Sequence, residues 1–167
     1  MFKLTFKEKE LKEMYELQAA FEDKLGMMIE TNQMILALNY TTNALLKTLG
    51  AWEWWKEGHT KVAYDTIVTG VVDVMSVYFA AVYYTCEAHG NDISKIFLDD
   101  LKQVMTNEQF SDAEPKHLIE WFSLERSIMS TCMTQIFKVI EHYYPQLNAK
   151  DITRRFTTRI EERDVTP

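Results

Sequence analysis

The sequence predicts an all-α fold, a single bundle of about six helices, and three observations carry that expectation. Only five glycines and three prolines interrupt 167 residues, so long helices are not broken from within. Apolar residues recur at three- and four-residue intervals along most of the chain, the period of a helix face. Four of the five glycines stand between these periodic segments, where a residue in the left-handed conformation commonly ends a helix.

The first helix is expected to start at Thr5, because Thr5 and Glu8 are spaced as a capping box, and to end at Gly26. Leu11, Met14, Gln18, Phe21 and Leu25 would share its buried face. A second helix covers residues 28–50. Residues 51–60, with Trp52, Trp54 and Trp55, form a dense aromatic segment ending in a glycine turn. Residues 61–88 make the most apolar helix, expected at the centre of the bundle. Asn91 or Asp92 can cap a short helix holding Ile93, Ile96, Phe97 and Leu101.

Pro115 opens the longest element, residues 116–144. Its Leu118, Phe122, Met129, Cys132, Ile136, Val139 and Tyr143 follow a near-heptad stripe that Glu125 interrupts. Such a stripe suits packing inside the subunit or against a second one. Pro145 stops it, and Asn148 or Asp151 caps a last helix with Ile152, Phe156 and Ile160 on one face.

The length fits one domain spanning residues 1–167. A net charge of −7, spread along the chain, opposes a phosphate backbone and makes nucleic acid a poor partner. Cys86 and Cys132 lie inside apolar helical patterns with neither metal nor redox spacing, as small core residues in a reducing compartment do. The opening residues hold no apolar run of signal-peptide type, so a cytoplasmic location is expected. Residues 67–84 carry one charge in eighteen and reach the minimum length of a membrane span. Without a cationic flank, they read instead as a helix buried on all sides. The four histidines are scattered without ligand spacing, and no nucleophilic triad or glycine-rich phosphate loop occurs.

Three segments, in order, resemble the dimeric dUTPase/dCTPase family, a branch of the all-α nucleoside triphosphate pyrophosphatases. They are Met14-Tyr-Glu-Leu-Gln18, Leu49-Gly-Ala-Trp52-Glu-Trp54-Trp55-Lys56 and Val71-Val-Asp73-Val-Met-Ser-Val-Tyr-Phe79. The resemblance implies a dUTPase-like core over residues 5–105, with additional helices over 115–162. It implies that Gln18 faces a pyrimidine base and that Trp52, Trp55, Lys56 and Asp73 belong to a nucleotide site. Dimers, with itself or with a related protein, and a phage-type origin also follow from it.

That family's chemistry uses Glu-x-x-Glu opposite Glu-x-x-Asp to hold magnesium, which needs several hard oxygen ligands. In the register set by the tryptophan segment, the four positions are Thr41, Ala44, Gly70 and Asp73, and only the last is a carboxylate. The family's cationic phosphate-binding stretch also has no good counterpart, since Asp99 and Asp100 stand in the corresponding region. A catalytically impaired protein is therefore expected, with no catalytic residue, metal or cofactor. It would bind a deoxypyrimidine nucleotide, or a partner protein such as an active relative.

Two alternatives remain. One is a magnesium-dependent deoxynucleoside triphosphate diphosphohydrolase with a displaced metal site, using Asp73 with Glu30, Glu53 or Asp65. The other is a helical interaction protein unrelated to nucleotides. By ordinary frequencies Gln18 is a partly exposed helix residue, the tryptophans are core or interface anchors and Lys56 is solvated. Asp73 is less ordinary. Buried on an apolar helix it must be neutral or paired, with Lys47 or Lys56 as candidate partners. Gly70 inside the same helix costs about 1 kcal/mol relative to alanine, which points to a neighbouring helix or a ligand ring in the space beside it.

Overall fold

Gly26 and Gly50 both take the left-handed conformation, at φ 60° and 72°, and each closes a helix as the sequence predicts. The computed structural model describes residues 6–50, 53, 55, 62–87 and 144–165. Among these the chain is all-α with no strand, and its helices are α1 (Glu8–Leu25), α2 (Thr31–Thr48), α3 (Tyr64–Glu87) and α4 (Ala149–Val165). The described residues thus hold four helices, against about six expected for the whole chain. The expected short helix after Asn91 or Asp92 and the long one over 116–144 lie outside the described residues, as does the Thr5 cap.

Three of the four observed starts have a local cause in a side-chain cap. The Glu10 carboxylate accepts the backbone N–H of Lys7 at 3.2 Å, which fixes the first turn of α1. The Gln33 side chain likewise accepts the N–H of Glu30 at 2.8 Å, so α2 begins later than residue 28. Asn148, rather than Asp151, caps α4: its Oδ1 accepts the Asp151 N–H at 3.0 Å.

Helix α3 is the hub. It packs against α1, α2 and α4, while α1 and α4 also touch each other. By length and composition residues 64–84 of α3 are apolar enough to cross a membrane, yet more than half of that window is buried against the other helices. Phe79 lies at the junction, edge-on to Phe156 of α4 with ring centroids 5.6 Å apart and to Tyr15 of α1 at 6.3 Å. Edge-to-face pairs of this kind add about 0.5–1.5 kcal/mol beyond the area they bury. The expected stripe of Ile152, Phe156 and Ile160 on α4 faces this core.

The inner face of α1 is rotated from the expected one. Leu11, Met14 and Gln18 are buried as predicted, but Tyr15 and Glu22 join them, whereas Leu25 is exposed and Phe21 only half-buried. A buried glutamate at the position expected to be filled by leucine requires hydrogen-bond partners, and those partners define the polar centre of the molecule.

Candidate functional site

Between α1, α3 and α4 the core gives way to a chain of polar side chains. Tyr84 donates to Glu22 Oε2 at 2.7 Å, and the Gln18 amide donates to Glu22 Oε1 at 2.8 Å. Ser76 donates to Gln18 Oε1 at 2.5 Å and accepts from Arg163 Nη1 at 2.8 Å. Arg163 Nη2 then reaches Asp73 Oδ1 at 3.3 Å, and Arg159 Nε approaches the same oxygen at 3.5 Å. Gln18, Glu22 and Ser76 are buried.

Helical spacing assembles this network. Gln18 and Glu22 are one turn apart on α1, and Asp73 and Ser76 are three residues apart on α3. Arg155, Arg159 and Arg163 repeat every four residues on α4, beside its apolar stripe, and all three turn toward α3, Arg155 through a 3.3 Å contact from Nε to Thr69 Oγ1. Burial and the hydrogen bond to Glu22 push the Tyr84 hydroxyl above the ordinary tyrosine range, so it remains a donor. Burial pulls the Arg163 guanidinium down, Arg159 adds to that, and Asp73 opposes it.

Asp73 and Gln18 therefore meet, linked through Ser76 and Arg163. Asp73 is paired, as expected, with Arg159 and Arg163 rather than with Lys47, while the other candidate, Lys56, lies outside the described residues. Nor is it deeply buried. Its side chain is 32% exposed, and those of Arg159 and Arg163 are 35% and 34% exposed, so the ionic end of the network opens to solvent. Gln18 is internal, with both ends of its amide engaged.

The other three positions that the resemblance would assign to metal ligands meet different neighbours. A Cβ on Gly70 would stand 2.8 Å from Leu45 Cδ1, so a helix neighbour fills the space beside it. Thr41 donates its hydroxyl to the Ala37 carbonyl one turn earlier in the same helix, at 2.9 Å, and Ala44 is exposed. These residues do not fit magnesium: one carboxylate already faced by two guanidiniums is a poor cation ligand. Among the described residues no three His, Cys, Asp or Glu side chains are grouped to hold a metal, and Glu30, Glu53 and Asp65 form no such group with Asp73. Trp55 is exposed, while Trp52 and Lys56 lie outside the described residues.

Sequence reasoning missed Glu22, Ser76, Tyr84, Arg159 and Arg163. A signal existed for the arginines, since a four-residue repeat of cations beside an apolar helical stripe needs acceptors across the interface. Compared with known protein families and with characterised proteins, the sequence finds no match, so the site rests on its own chemistry.

Proposed function

We propose that the chain is a dUTPase-like binding protein without metal-dependent hydrolysis, and that it holds a deoxypyrimidine nucleotide. One observation supports this above the others: the single carboxylate at the four metal-type positions, Asp73, faces Arg159 and Arg163. Guanidiniums repel a divalent cation and attract phosphate, for which their planar fork is well matched. The resemblance to a phage-rich pyrophosphatase family supplies the nucleotide class.

Incubation with magnesium and a panel of deoxynucleoside triphosphates should release neither monophosphate nor pyrophosphate. Calorimetry with the same panel should then detect binding that survives removal of magnesium by a chelator. Turnover at ordinary enzymatic rates, abolished by Asp73→Ala, would sink this reading in favour of the displaced-site hydrolase.

A second reading, docking to a protein partner such as an active relative or a second copy, has its own support. The outer face of α2 leaves Leu36 70% and Tyr40 74% exposed, one turn apart. Co-purification of a stable complex, disrupted by Tyr40→Ala, combined with silence in the nucleotide calorimetry, would favour it.

A further inference from the structure

We infer that Arg159 and Arg163 form a metal-independent site for a phosphate or pyrophosphate group, in which the Asp73 carboxylate is an internal stand-in for the ligand. The inference rests on the binding-protein reading above and gives that reading a place on the molecule. Both guanidiniums address one carboxylate oxygen, Oδ1, at 3.5 and 3.3 Å, longer than a charge-assisted hydrogen bond of about 2.7–2.9 Å. The buried Nε–H of Arg159 finds no hydrogen-bond acceptor among the described residues. Two forked cations thus share one carboxylate oxygen at long range, and only Arg163 has a second, close acceptor, Ser76 at 2.8 Å.

The neighbouring anions do not complete the match. Each oxygen of Glu22 already accepts a hydrogen bond, from Gln18 and from Tyr84, so Glu22 acts on Arg163 through its charge alone. Glu162 reaches Arg159 Nη1 only at 3.9 Å, and its side chain is about half exposed, so solvent screens it. A phosphate offers several oxygens and about two negative charges, enough to engage both forks at once. The ionic end of the cluster is about a third exposed and so faces solvent, and Arg155 stands one further turn along α4. Entry of the anion requires Asp73 to yield, so the carboxylate sets the affinity by competing for the same donors.

The test is calorimetry of the full chain with inorganic pyrophosphate in chelator at low salt, repeated with a deoxynucleoside triphosphate. Pyrophosphate should bind, and Asp73→Asn should tighten binding about tenfold by raising the fraction of competent site. Arg159→Gln and Arg163→Gln should each weaken it by tenfold or more. Circular dichroism establishes that each variant is folded, and Arg163→Lys, which retains charge but not the fork, should retain only part of the affinity.

Absence of pyrophosphate binding in both the parent and Asp73→Asn overturns the site, as does affinity indifferent to Asp73→Asn or to both arginine substitutions. Should an arginine variant unfold, the Asp73→Asn titration decides alone. The two proposals separate cleanly. Pyrophosphate binding that follows these rules without any triphosphate binding upholds the anion site and removes the nucleotide reading. Triphosphate binding unaffected by the arginines does the reverse.

Discussion

Gly70 and Asp73 stand one turn apart on α3 yet belong to two unlike interfaces. On the α2 side the helix is closed by a hydrocarbon contact, with Leu45 Cδ1 in the space where a Gly70 side chain would begin. On the α4 side it is polar and partly open, with Asp73 and Ser76 meeting Arg159 and Arg163. A metal pair at this spacing needs both positions to face one shared volume. Here the first is filled by packing and the second is paired with cations, so a single substitution cannot create a metal site.

The sharpest way to break the comparison is to place a carboxylate on the closed side. Gly70→Glu must displace Leu45 and hold a charge beside it, and should cost about 3 kcal/mol from overpacking and desolvation together. Urea denaturation measures it. If the cost falls below about 1 kcal/mol, the glutamate has found room and the α2 interface is looser than the contact implies. In a Leu45→Ala background the obstacle is gone, so Gly70→Ala should become stabilising by up to about 1 kcal/mol, the helix-propensity gain of alanine over glycine.

On the open side, Asp73→Ala leaves two guanidiniums facing each other without their shared carboxylate. The expected loss is about 1–2 kcal/mol, reduced from the value for a fully buried pair because all three side chains are about a third exposed. Asp73→Ala with Arg159→Ala should lose less than the sum of the two single changes. Strict additivity in that cycle would mean that Arg159 and Asp73 are adjacent but energetically independent.

What was legible in the sequence follows the range of the interactions. Helix ends at Gly26 and Gly50 and the Ile152, Phe156, Ile160 face depend on neighbours three or four residues away, and they appear as predicted. The inner face of α1 did not. Leu25 is the better apolar candidate by composition, but Glu22 is held inside by Tyr84, a residue 62 positions away. Asp73 was recognisable as a residue needing a partner, whereas its partners Arg159 and Arg163 come from the far end of the chain, the latter 90 positions on. Local pattern exposes the need for a counter-charge, and only the packing of α4 on α3 supplies it.

Smaller effects separate two polar contacts at opposite ends of α3, one to α1 and one to α4. Tyr84→Phe removes a hydrogen bond to the buried Glu22 and should cost about 1.5 kcal/mol, since a charged acceptor is left one donor short.

At the other end of α3, Tyr64 donates to Asp151 of α4 at 2.6 Å near the surface, and Tyr64→Phe should cost about 1 kcal/mol or less at neutral pH. Its signature is in the pH profile. Burial and the Asp151 carboxylate push the Tyr64 hydroxyl from 10.0 up to about 12, so its contribution is complete below pH 10 and disappears as pH rises through 12. The hydrogen bonds from Tyr64 and then Asn148 hold Asp151 below its ordinary 3.8, so that contribution is complete above this value and is lost on acidification through the lower folded one. Tyr64→Phe should therefore flatten both limbs of a stability–pH curve, the alkaline one between 10 and 12 and, in part, the acid one below 3.8. Tyr84→Phe should flatten the alkaline limb, because Tyr84 titrates above its usual range, and should leave the Asp151 part of the acid limb unchanged. Identical profiles for the two variants would show that the two ends of α3 behave as one unit rather than as an internal network and a separate surface clasp.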